Sequence, residues 1–282
     1  MNMNKRGISV TIGGVTFANP VFSASGIWGY GDEVASLVDV TRLGAVVTKT
    51  ITIEPRPGNA PPRIHELATG LLNSIGLENV GLEEFIAAKL PAVAKAGITA
   101  IVSIAADREE QFHAIADRLA RLDVFSGVEV NLSCPNVEKG QLDHGRDPRF
   151  VETITRAIKD RLPRRAVLVK LTPNLTDIGE VAAAAEAGGA DGITAINTLL
   201  GADFDLGILP VALQKVWEVA NAVSIPVVGV GGISSVDDAR KFFLAGASAI
   251  QVGTQLFADP ALADTIITAL ENNPGWMSRR KD

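Results

Sequence analysis

The chain has 282 residues, 47% of them hydrophobic and only 5% aromatic, with 26 Lys and Arg against 32 Asp and Glu and a formal net charge of −6. A net acidic chain without a basic run offers no electrostatic footprint for nucleic acid, and so few aromatics offer no platform for stacked bases. The one cysteine, Cys134, excludes an internal disulfide, an iron–sulfur cluster and a Cys-rich zinc site on this chain, and points to a reducing, cytoplasmic setting.

Met1–Gly7 has no apolar run behind it, so no signal peptide is expected, and no apolar stretch approaches the ~18 residues of a membrane span. The hydrophobicity comes instead in short runs, as in strands buried on both faces. The chain opens on a predicted hairpin, Ile8–Ile12 and Val15–Phe17 around Gly13-Gly14. Eight apolar runs follow: Pro20–Ala24, Gly44–Thr48, Thr99–Ile104, Val128–Leu132, Ala166–Leu171, Gly192–Ile196, Pro226–Val230 and Ala249–Val252. Helical patterns alternate with them at Asp32–Val38, Leu82–Ala96, Glu109–Leu122, Pro148–Leu162, Asp177–Ala187, Pro210–Ala222, Val236–Ala245 and Pro260–Leu270. Eight strand–helix units over about 250 residues predict a single α/β domain across 1–282, a (β/α)8 TIM barrel with an N-terminal β-hairpin. A doubly wound sheet is disfavoured, since no Gly-rich fingerprint follows the first strand.

Catalytic groups of such barrels lie at the C-terminal strand ends. Polar residues gather there: Ser25 after strand one, Lys49-Thr50 after strand two, Asn131 to Asn136 after strand four, Lys170 in strand five and Asn197-Thr198 after strand six. Gly231-Gly232 and Gly253-Thr254 follow strands seven and eight, where bare N–H groups and a helix start suit a phosphate. The loop after strand two adds Asn73 to Leu77. Taken singly, a strand-end lysine is usually a solvated charge and an Asn usually satisfies a turn. Two lysines, several amides and the only thiol converging on one rim are better read as a site. His65, His113 and His144 show no metal-ligand spacing. A phosphorylated substrate or a flavin mononucleotide is then the expected ligand. Lys170 could serve as the Schiff-base lysine of a lyase or isomerase, or as a cation beside a flavin ring; residue chemistry leaves both open.

Asn19-Pro-Val-Phe-Ser-Ala-Ser-Gly26, Thr48-Lys-Thr50, Glu54–Asn59, Leu72-Asn-Ser-Ile-Gly-Leu77, Asn131-Leu-Ser-Cys-Pro-Asn136, Val169-Lys-Leu-Thr-Pro-Asn174, Ile196-Asn-Thr-Leu199 and Gly229-Val-Gly-Gly-Ile233 follow one another in a familiar order. From about residue 7 to residue 270 the chain resembles class 1 dihydroorotate dehydrogenases, type 1B. The resemblance implies FMN and the oxidation of dihydroorotate to orotate in pyrimidine biosynthesis. Cys134 would be the base for the C5 proton. Lys49, Asn73, Gly76, Leu77, Asn131, Asn136, Asn197 and Thr198 would bind the substrate. Ser25, Lys49, Thr50, Ser103, Asn131, Lys170, Ile196, Gly231, Gly232, Gly253 and Thr254 would bind the flavin. It also implies a homodimer core joined to an NAD-linked subunit carrying FAD and an iron–sulfur cluster, in a heterotetramer. The rival within flavin chemistry is an ene-reductase acting on another pyrimidine.

Two positions depart from the family pattern. Ser103 stands where relatives carry Asn, and Leu199–Leu206 runs straight into Gly207, so that about 15–20 residues of a βα loop are missing. A true deletion would open the mouth and remove one backbone contact to the flavin. The intact neighbouring motifs favour a loop longer than these 282 residues include.

Overall fold

The computed structural model describes residues 7–68, 70–132, 144–201 and 207–277. An antiparallel hairpin, β1 (Val10–Ile12) and β2 (Val15–Phe17), precedes the first barrel strand, β3 (Val21–Ser23). β4 (Ala45–Val47) comes next, and a second hairpin, β5 (Ile64–Leu67) with β6 (Gly70–Asn73), stands outside the barrel. A continuous helical rod then runs through α1 (Leu82–Glu84), a π-helical turn (Phe85–Lys89) and α2 (Leu90–Lys95). Strict alternation follows: β7 (Ala100–Ile104), α3 (Glu109–Leu119), β8 (Gly127–Asn131), α4 (Pro148–Arg161), β9 (Ala166–Leu171), α5 (Ile178–Ala187), β10 (Gly192–Ala195), α6 (Leu209–Ala222), β11 (Val227–Val230), α7 (Val236–Leu244) and β12 (Ala249–Val252). A short α8 (Gln255–Ala258) and α9 (Leu262–Asn272) end the described chain.

The parallel strands close in the order β10-β11-β12-β3-β4-β7-β8-β9, the expected TIM barrel. Every apolar run read from the sequence holds its strand. The helical pattern at Asp32–Val38 does not hold: only a 3-10 turn forms, at Asp32–Val34. Gly29 and Gly31 bend the preceding backbone through φ of 57° and 105°, and the buried Trp28 and Tyr30 anchor it to the core. This segment is a packed loop whose aromatic anchors replace a helix. The hairpin β5–β6 was not expected, because Ile64, His65 and Glu66 are all exposed and carry no alternation.

Alternation along the strands sets the layers inside the barrel. Phe22, Ala45, Val47, Ile101, Leu168, Val228 and Ala249 form an apolar cluster, which Ile12 and Phe17 of the N-terminal hairpin join. The hairpin thus plugs the barrel floor. Two residues further along, Ile101 gives way to Ser103, Leu168 to Lys170 and Ala249 to Gln251, and all three are buried. A polar layer therefore lies between the floor and the C-terminal rim. Helices α3 to α7 bury apolar stripes against the outer strand faces, as Phe112, Ile115, Ala116 and Leu119 show for α3. No helix among the described residues is long and apolar enough to cross a membrane.

Candidate active site

Because all eight strands are parallel, their C-terminal ends share one rim, and Ser25, Thr50, Asn131, Asn197, Gly231 and Gly253 fall on it. Ser25 hydroxyl donates to the Thr48 carbonyl at 2.8 Å and lies 3.2 Å from the Thr50 hydroxyl, which is 2.8 Å from that of Ser103. Strands β3, β4 and β7 are therefore laced by a chain of hydroxyls. Ser103 is fully buried and engaged with Thr50, so it shapes this corner from beneath.

Across the barrel, Asn197 donates from Nδ2 to Asn131 Oδ1 at 3.0 Å, while its own Oδ1 accepts from the Thr198 N–H at 2.9 Å. Ile196 is buried, and its N–H donates to the Val230 carbonyl. Amide side chains both donate and accept, so this pair suits a ring carrying amides. The loop beyond is fixed by Asn174, whose Nδ2 donates to the Thr198 carbonyl and whose Oδ1 accepts from the Leu200 N–H.

Lys49 sits on the opposite side of the mouth, its Nζ 3.8 Å from Glu78, which also pairs with Arg63. Glu78 adjoins Leu77, so the structure brings the predicted Gly76-Leu77 segment beside Lys49. That segment is unusual. Gly76 has φ 74°, and Leu77 holds φ 55°, a left-handed backbone that a branched side chain adopts at a cost of about 1–2 kcal/mol. Asn79, buried, secures it by donating from Nδ2 to the Leu77 carbonyl at 2.7 Å and accepting at Oδ1 from the N–H groups of Thr52 and Gly81. Asn73 stands at the exposed end of β6, and among the described residues no hydrogen bond joins its side chain to the other predicted ones.

At the end of β11, Gly231 and Gly232 have φ of 132° and 74°. A Cβ on Gly232 would lie 2.8 Å from the Leu209 N at the start of α6, and one on Gly231 2.7 Å from Ala212 Cβ. Only bare backbone fits there. Gly253-Thr254 precede the short α8, the extra helix that commonly completes a barrel phosphate site. Helix α7 is capped by Ser235, whose hydroxyl accepts from the Asp238 N–H at 3.1 Å. Asp238 returns the favour, accepting from Ser234 and Ser235 hydroxyls and from Lys241. Burial works against its charge, but the bonds from Ser234, Lys241 and Ser235 win and hold the carboxyl below its ordinary range.

Lys170 is buried at the polar layer, its Nζ 3.3 Å from Glu129 Oε1. Glu129 is itself fully buried and accepts at Oε2 from Thr194 at 3.0 Å and Gln251 at 2.6 Å. Sequence reasoning passed over Glu129, Gln251, Glu78 and Asn79. A carboxylate in the middle of the apolar run Val128–Leu132 was the available signal. Cys134 and Asn136 lie outside the described residues, as does Leu206 in the loop after β10.

Hydroxyls, amides, a backbone cradle and a buried cation on one rim are a donor set that fits FMN. Ser25, Thr50, Lys170, Gly231, Gly232, Gly253 and Thr254 would hold it. Catalytic subunits named dihydroorotate dehydrogenase B (NAD(+)) from Geobacter metallireducens, Pelobacter propionicus and Thermoanaerobacter sp. are 41%, 42% and 41% identical; the matches cover 95%, 95% and 94% of this chain and 93%, 93% and 92% of theirs. A solved structure, DHODH from Eimeria tenella in complex with ferulenol, has a TM-score of 0.81 at 24% identity over 94% of this chain and 84% of that one, which speaks to the fold. The alignment to the Geobacter relative spans 286 positions, whereas 95% of this chain is about 268 residues, so that relative carries about 18 residues that this chain lacks within the matched span. The family model for dihydroorotate dehydrogenase matches residues 7–273, and the chain belongs to that family.

Proposed function

We propose that this chain is the FMN-containing catalytic subunit of an NAD-linked dihydroorotate dehydrogenase, a single barrel domain that oxidises dihydroorotate to orotate in pyrimidine biosynthesis. The observation that supports the reading is the C-terminal end of the barrel, which carries Lys49, the Asn131–Asn197 amide pair and, beneath them, the buried Lys170. Lys49 and the Gly76-Leu77 backbone would take the substrate carboxylate. Asn73, Asn131, Asn136, Asn197 and Thr198 would meet its ring amides. Cys134 would remove the C5 proton, since a thiolate is the basic form and a lysine-lined mouth favours it. Bound FMN supplies the acceptor for the hydride that leaves C6. Lys170 offers a fixed positive charge where negative charge gathers on the reduced ring, a preorganised electrostatic role.

The lyase or isomerase reading loses ground on the same geometry. A Schiff-base lysine must present a neutral amine, whereas Lys170 is ion-paired with a buried carboxylate. Electrons would leave through a partner subunit with FAD and an iron–sulfur cluster, on a homodimer core, as the words "catalytic subunit" in the relatives' names suggest. Replacing Cys134 tests the mechanism. Cys134→Ser should keep FMN and orotate binding but lose about 10²–10⁴-fold in flavin reduction by dihydroorotate at neutral pH. Unchanged reduction rates would remove Cys134 from the role of base.

A further inference from the structure

The Glu129–Lys170 pair is costly by itself. Both side chains lie in the barrel interior, at 0% and 8% side-chain exposure. Removing two charges from water costs several kcal/mol per ion, and apolar residues of similar volume commonly fill such a space at no loss of stability. The pair therefore calls for a reason other than stability. Its geometry supplies one. Both carboxylate oxygens of Glu129 are fixed from three strands: Oε1 by Lys170 on β9, Oε2 by Thr194 on β10 and Gln251 on β12. The carboxylate is thus a rigid anchor. Among the described residues it is the only acceptor that reaches Lys170 Nζ, and one contact leaves the ammonium two further protons to donate. The other side chains of this layer, Ser103, Thr194 and Gln251, are neutral, and Lys49 pairs with Glu78.

We propose that Glu129 is a positioning residue: it holds the Lys170 Nζ fixed and aimed from below, and through Lys170 it raises the electron affinity of the flavin. This rests on the FMN reading above. With glutamine at position 129 the acceptor remains but the charge is gone. A neutral amide oxygen holds the Lys170 Nζ less firmly than a carboxylate does. The flavin loses a fixed cation, so its reduced, anionic form binds less tightly relative to the oxidised form.

The test is a potential, measured on FMN-loaded wild type, E129Q, K170M and the double variant against reference dyes, with FMN affinity taken from fluorescence quenching. E129Q should lower the ratio of reduced to oxidised flavin affinity at least tenfold, about 30 mV for a two-electron couple. In the K170M background the same change should shift the ratio less than threefold. Should E129Q fail to fold by circular dichroism, E129D carries the test: its shorter side chain withdraws from Lys170 but keeps the charge, and the ratio should still fall. An unchanged or raised potential in a yellow E129Q protein, or an equal shift with and without Lys170, overturns the proposal alone. A wild-type chain that retains no FMN overturns the flavin reading, and this proposal with it.

Discussion

Lys49 reaches Glu78 at 3.8 Å, and Glu78 also serves Arg63, so an anionic ligand at Lys49 must compete with a carboxylate already in place. Lys49→Ala should weaken orotate binding by about 10–100-fold, because a charge-assisted hydrogen bond of about 1.5–3 kcal/mol is removed. Glu78→Gln should act in the opposite direction. Partly exposed pairs contribute about 0.2–1 kcal/mol, so orotate should bind about 1.5–5-fold more tightly. Titration of the flavin spectrum with orotate checks both, and weaker binding in Glu78→Gln would contradict the competition. Lys49 and Lys170 were legible in the sequence because a barrel puts strand ends at its mouth. Glu129 was not, because a lone charge within an apolar run gains meaning only when Thr194, Gln251 and Lys170 arrive from other strands, at separations of 65, 122 and 41 residues.

Elements would carry the proposed phosphate cradle, and α7 shows how. The reciprocal Ser235–Asp238 cap fixes the helix start just beyond Gly231-Gly232. Ser235→Ala should cost about 1 kcal/mol of stability, lowering the melting temperature by about 2–4 °C for a domain of this size. The pH dependence follows from the depressed Asp238 carboxyl. Its folded form ionises more readily than its unfolded form. The stabilisation is thus complete above the ordinary Asp range near ~3.9 and is lost as pH falls through the lower folded value. Asp238→Asn should remove that acid-side loss, visible in melting curves taken from pH 6 downwards; an unaltered slope would assign the loss elsewhere. The alternating pattern from β7 to β12 was legible because each strand is buried on both faces and each helix carries an apolar stripe. The 3-10 turn at Asp32–Val34 was not, because its conformation is set by the burial of Trp28 and Tyr30 against the core. Nor was the β5–β6 hairpin, which stands outside the barrel with an exposed first strand.

For the whole molecule, the closed barrel and its hairpin plug leave one open end, the C-terminal rim. Long βα loops at such rims act as lids. A true deletion in the loop after β10 should make the chain hold FMN less tightly than the Geobacter relative does, with little change in folding stability, because the strands and helices are intact. Dialysis followed by flavin fluorescence measures this, and retention equal to that of a relative would contradict it. Electron exit is a second whole-molecule property. With one cysteine the chain cannot ligate an iron–sulfur cluster, so the isolated protein should reduce its flavin with dihydroorotate yet generate NADH only slowly. Rapid NADH formation by this chain alone would remove the need for a partner. The most direct test of the whole account is anaerobic mixing of the purified, FMN-loaded chain with dihydroorotate in a stopped-flow spectrometer. The account predicts that the yellow absorbance bleaches fully with dihydroorotate and stays unchanged with dihydrouracil; a flavin that dihydroorotate leaves oxidised would contradict it.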